Sequence, residues 1–156
     1  MAIEKWIGGT VGLTWANAYT AASTFDTLAN GNAINSDLQL DNSTNLDMFC
    51  DVSIALGSVA VVAPNYVGLY LYPLNADGTT YGDGRFASSA AGPPASPYWV
   101  GNFVVPTGTS ANEGTVRGII MPPGKWKFTI YNQLGVAMAG SGANTIKYRT
   151  YNRSVA

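Results

Sequence analysis

The chain has 156 residues, the size of one domain and long enough to bury a sizeable core. Only 11% of the residues are charged, while Gly, Ala, Ser, Thr and Asn are abundant, which argues against a helical bundle rich in Glu, Lys and Leu and for a β-rich, loop-rich protein. There is no histidine, so Ser-His-Asp and Cys-His arrangements and the usual His-based metal sites are excluded, and a net charge of −1 protects a free monomer only weakly against association.

A single cysteine, Cys50, rules out an intramolecular disulfide. The opening MAIEKWIGG has no basic stretch followed by an apolar one, and apolar runs such as Val59 to Ala63 are far too short to span a bilayer. A soluble product made in the cytoplasm is expected, with no membrane partner. Charge is unevenly placed: residues 1 to 113 hold all nine acids and two bases (−7), and residues 114 to 156 hold six bases and no acid (+6). Either interleaved strands neutralise one another within the fold, or like subunits meet head to side.

In chain order, residues 1–22 carry Gly8, Gly9 and Gly12 with Trp6 and Trp15 and no sustained period, and read as an extended arm with at most a short strand at Val11 to Trp15. Residues 23–156 read as one β-sandwich domain. Ser23-Thr24-Phe25-Asp26 matches a capping box and Gly31 suits a helix end, which predicts one short helix with Phe25 and Leu28 buried. Ile34, Leu38 and Leu40 share one phase of a first strand. Leu46, Met48, Cys50, Val52, Ile54 and Leu56 share one phase of a longer one, with Asp47, Asp51 and Ser53 in the other and Phe49 as an exposed-phase exception.

Asn65 to Leu74 is apolar in both phases, as in a strand covered on both faces, the second cover being the arm, the helix or a neighbouring subunit. Tyr98 to Val105 and Asn144 to Tyr151 read as further strands. Between them, Thr115 to Asn132 contains two alternating runs joined by Pro122-Pro123-Gly124-Lys125, which predicts a hairpin whose buried face has Met121 across from Trp126, Ile119 across from Phe128 and Arg117 across from Ile130. About eight strands result, the number of a jelly roll.

Candidate chemistry is sparse. Cys50 lies in an apolar phase and reads as an inert core thiol rather than a nucleophile. Asp47 and Asp51, four apart on one strand face, read as a solvated face rather than a glycosidase pair. Asn75, Asp77, Gly78 and Asp83 suit turn chemistry better than calcium. Lys125, Lys127, Lys147 and Arg149 alternate outward on two strands; without an overall basic balance they suit a solvated or intersubunit face better than direct nucleic-acid contact. Tyr66, Tyr70, Tyr72, Tyr98 and Trp99 fit a sugar-binding face, a core or an interface equally.

The stretches LDMFCDVSIALGS, YVGLYLYPLNADGTTYGDGRF, YWVGNF and VRGIIMPPGKWKFTIYNQLG resemble small structural proteins of tailed-bacteriophage virions, of the head decoration or cement type. The resemblance implies a jelly-roll subunit, often trimeric, on the outer surface of the capsid and clamping neighbouring capsomers. It implies as partners the major capsid protein and further copies of the chain, and no catalytic residue or cofactor. The rival expectation is a receptor- or carbohydrate-binding module of a phage fibre. For the interface, the sequence nominates Trp6, Ile7, Leu13 and Trp15 of the arm together with Phe49, since large apolar groups on a glycine-rich segment gain most from burial in a partner. The competing reading makes this segment an edge strand with both tryptophans in the core.

Overall fold

The computed structural model describes residues 4–9, 14–82 and 84–155. Eleven strands form two antiparallel sheets: β1 (Glu4–Gly8), β2 (Ala16–Asn17), β3 (Asn32–Asn35), β4 (Leu40–Asp41), β5 (Phe49–Leu56), β6 (Tyr66–Pro73), β7 (Ala90–Ala91), β8 (Trp99–Val104), β9 (Asn112–Ile120), β10 (Lys125–Gln133) and β11 (Thr145–Val155). Sheet I has the order β1-β11-β5-β9, with β2 also on β11; sheet II has the order β7-β3-β10-β6-β8, with β4 also on β10.

Two of the eleven are continuations, because β1 and β2 follow β11 in turn while β3 and β4 follow β10. Counted as paths, and with two-residue β7 set aside, there are eight. The first pairs with the eighth, the second with the seventh, the third with the sixth and the fourth with the fifth. This is a long hairpin rolled into two sheets, a jelly roll.

The rolled topology overturns the hairpin expected at Pro122 to Lys125. β9 pairs with β5 in sheet I and β10 pairs with β3, β4 and β6 in sheet II, so the Pro-Pro-Gly corner carries the chain from one sheet to the other. Four of the six side chains expected inward are buried, Ile119 and Met121 entering the interior from one side and Phe128 and Ile130 from the other, while Trp126 is half-buried and Arg117 is exposed. Alternation specifies which side chains turn inward, and two strands satisfy it equally well side by side or face to face.

The interior between the sheets is filled by Val52, Ile54 and Ile146 from sheet I and by Val67, Leu69 and Phe128 from sheet II. β6 is buried almost throughout, as its two-faced apolarity predicts. Its second cover is neither arm, helix nor neighbour but the chain's own excursion between β6 and β8, where Tyr81, Phe86 and Tyr98 close over Tyr70 and Tyr72. Gly82 makes this possible: a Cβ there would lie 1.8 Å from a Tyr72 ring atom, and its φ of 58° favours glycine.

Other local expectations shift for identifiable reasons. The short helix is a single 3-10 turn, Ala22–Phe25; Thr27 at φ 52° ends it, and Asp26 accepts from the Gly142 amide at 2.7 Å instead of capping. Phe25 and Leu28 are buried as expected. The strand from Leu46 begins only at Phe49, since Leu46 has φ 52° and leaves both Leu46 and Met48 exposed. Asn32 to Asp41 breaks at Ser36, whose hydroxyl accepts from the Phe128 amide at 3.1 Å and whose own amide donates to the Phe128 carbonyl at 2.6 Å. Within 1–22, the described residues do not stand apart as an arm: β1 runs antiparallel to β11 from Glu4 opposite Val155 to Gly8 opposite Tyr151.

Phe128→Ala is expected to cost about 3–5 kcal/mol in denaturant melts as a buried aromatic facing the opposite sheet. NMR spectra should connect Thr129 with Tyr70 and Val116 with Val52 across strands, and show no cross-strand contact between Val116 and Tyr131.

Candidate functional site

The outer face of sheet I carries the most distinctive surface of the molecule. The register places Gly8, Tyr151, Phe49 and Ile120 in one row across β1, β11, β5 and β9, with Trp6 opposite Arg153 one step along. Phe49 and Tyr151 stack with centroids 5.6 Å apart and planes 21° apart. Trp6 stands edge-on to both, at 5.8 and 5.2 Å, so its indole is braced on one side and remains 62% exposed.

The next row is polar. Asp51 on β5 is buried and has four hydrogen bonds: its Oδ2 accepts from Arg149 Nε at 3.1 Å and Nη2 at 2.9 Å, and its Oδ1 from Tyr151 Oη at 2.9 Å and the Gly118 amide at 3.0 Å. Burial raises its pKa, but these donors outweigh it, and the carboxyl is held below its ordinary value. Tyr151 moves the other way, raised by burial and by its bond to Asp51. The Arg149 guanidinium in turn lies 4.9 Å over the Trp15 ring.

The fourth donor exists because β9 bulges. Opposite Asp51 the register slips between Cys50 and Val52, so Arg117 and Gly118 together face one residue of β5. Gly118 adopts φ 69°, the left-handed conformation that such a bulge takes at its glycine, and its amide turns to Asp51. Arg117, expected in the buried row of a hairpin, is thereby exposed. Trp6, Asp51, Arg117, Arg149 and Tyr151 line a shallow pocket of about 270 Å³.

Of the five nominated interface residues, Trp6 and Phe49 touch and Trp15 lies on the same face beside Arg149. Neither described tryptophan of the segment enters the core, contrary to the edge-strand reading in its full form. Ile7 has the opposite phase, across from Asn152, and is 49% exposed at the end of the sheet. Leu13 lies outside the described residues, as does Asp83 of the suggested calcium loop.

Several chemical readings close here. Asp47 and Asp51 are both buried rather than on a solvated face. Asp47 accepts from Asn152 Nδ2 at 3.0 Å, and with all four acceptor positions of Asp51 occupied the two do not form an acid–base pair. Cys50 is wholly buried and its thiol is pushed up by burial and by Asp51, as suits an inert core residue. Asp77 accepts from the Thr79 and Thr80 amides at 2.9 Å each, and its pKa is lowered to about 2 chiefly by its bonds to Thr80. The four outward bases do not make one patch, because Lys125 and Lys127 lie on sheet II and Lys147 and Arg149 on sheet I. Tyr70 and Tyr72 belong to the second core, leaving Trp99, 52% exposed, as the open member of the aromatic group.

Sequence reasoning placed Arg149 outward and missed Arg117. The signal was present: a glycine within an otherwise regular strand, directly after an arginine in the apolar phase, marks a bulge. No protein-family model, curated protein or solved structure matches this chain.

Arg149→Ala should lower stability by about 2 kcal/mol near neutral pH, because a buried carboxylate loses two of its donors. With the folded pKa of Asp51 below its unfolded value of about 3.9, this stabilisation is present above that pH and is lost as pH falls through the folded value. Urea melts from pH 7 to pH 2.5 should therefore show the difference between parent and variant shrinking at the acid end.

Proposed function

We propose that this chain is a non-enzymatic structural protein of a phage virion, of the capsid decoration type, that docks on the outer surface of a head through one end of its sandwich. The observation that carries the reading is a rim of large apolar side chains left open there. Ile120 is 74% exposed, Met48 and Ile7 49% each and Trp6 62%. They are neighbours through Phe49, which pairs with Ile120 and packs on Trp6, and through Asn152, which pairs with Ile7 and accepts from the Met48 amide at 2.8 Å.

Both faces of β6 and the interior are already covered within the chain, so the rim is surface beyond what the sandwich needs for its own core. A repeating shell multiplies such small contacts by valency. The jelly roll is a fold used by viral shell proteins and by lectins, which accords with this reading and equally with the rival one. The partners proposed are the major capsid protein and, in a trimer, two further copies of the chain. Since β6 is covered in cis, the trimer rests on the rim and on the scarcity of charge. The second reading, a carbohydrate-binding module, is favoured by a different observation, the pocket between Trp6 and Arg117.

Mass spectrometry of purified particles should find the chain in hundreds of copies, in fixed ratio to the major shell protein; a few copies per particle would favour a fibre. Ile120→Asp should leave the melting temperature nearly unchanged, as an exposed substitution, and weaken binding to undecorated heads. Retention of full binding would remove the rim as the docking surface. Light scattering that shows a monomer at micromolar concentration would remove the trimer alone.

A further inference from the structure

The pocket on the outer face of sheet I has a charge left over. Asp51 is spent on Arg149, Tyr151 and the Gly118 amide, and Arg149 is spent on Asp51 and the Trp15 ring. Among the described residues Arg117 has no hydrogen-bond or ion-pair partner, and it is exposed on the pocket wall. A lone guanidinium beside a neutralised ion pair selects an anion, and its planar fork matches a carboxylate in a bidentate arrangement. The same face carries Lys147 and Arg153, which add to the positive field around the opening.

The opposite wall is a different surface. Trp6 is held by edge-on contacts to Phe49 and Tyr151, which fix the ring while leaving it 62% exposed. A fixed, open indole takes the apolar C–H face of a saturated ring with little loss of side-chain freedom. The Tyr151 hydroxyl, already donating to Asp51, retains acceptor capacity for a ligand hydroxyl. The volume of about 270 Å³ suits one such ring and not a folded peptide.

We infer that this pocket binds a carboxylated sugar, with the pyranose ring stacked on Trp6 and its carboxylate on Arg117. The site shares Trp6 with the apolar rim, while Asp51, Arg117, Arg149 and Tyr151 lie outside it; the inference rests on the carbohydrate-binding reading and not on the docking role.

The test is a pair of titrations on the full chain, one with methyl glucuronide and one with methyl glucoside, followed by tryptophan indole signals in NMR spectra. The glucuronide should shift the Trp6 signal saturably, and the glucoside should bind at least about tenfold more weakly, the loss expected for one charge-assisted pair. Arg117→Ala should abolish the difference between the two sugars and Arg117→Lys restore part of it, with the Phe49–Tyr151 contacts unchanged in the same spectra. Ile120→Asp should leave sugar binding intact while weakening attachment to heads, which separates this inference from the docking proposal. Equal binding of both sugars, no effect of Arg117→Ala, or equal competition by inorganic sulfate, an acidic peptide or a short oligodeoxynucleotide would overturn it.

Discussion

The Asp51 carboxylate joins three strands of sheet I at one point. It lies on β5, takes two bonds from Arg149 and one from Tyr151 on β11, and a fourth from the bulged Gly118 on β9. A buried charge is costly unless every lone pair finds a donor, and here each does. That requirement fixes the bulge: without the extra residue in β9, no backbone amide would face the carboxylate. The bulge in turn sets the exposure of Arg117, so one satisfied acid decides both the register of the sheet and the composition of its outer surface.

The rolled topology explains why so much of the chain's apolar content is hidden despite the absence of any helix longer than a turn among the described residues. Pairing first path with eighth and second with seventh brings residues far apart in sequence into adjacent strands, and closes the interior with side chains from both halves. It also brings the acidic first part against the basic last part, as at Asp51 with Arg149 and Asp41 with Lys125, the latter an exposed pair at 3.5 Å that contributes little to stability. The charge asymmetry of the sequence is therefore met within the fold at these two places. The excursion over β6 does for sheet II what a neighbouring subunit would otherwise do, and leaves sheet I as the sheet with an open outer face.

At the pocket the acid is saturated and the guanidinium of Arg149 is engaged, the cysteine is buried, and farther along the face the exposed Glu113 accepts from the Ser53 hydroxyl at 3.2 Å. What is offered is a braced indole, an unpaired guanidinium and, at the sheet's end, an apolar rim. These are the elements on which the two proposals rest, the rim for a partner surface and the pocket for a small anionic ring.

Composition and alternation determined the class of this protein on their own: few charges, many glycines and threonines, and runs of period two whose inward members, among them Ile119, Phe128, Ile130 and Ile146, are buried. They also determined that β6 needs two covers and that Cys50 is a core thiol. They did not determine partners. Period two says that Ile119 and Phe128 point inward, and is indifferent to whether their strands share a sheet or face each other across it, so the Pro-Pro-Gly corner is a crossover only because the rolled closure makes it one. For the same reason Asp51 could not be seen to be buried, nor Arg117 to be exposed: both depend on a bulge opposite a residue some sixty-six positions away. A charge reports its burial only when its donors are known, and those donors come from two strands, β9 and β11, that the tertiary structure alone brings beside β5.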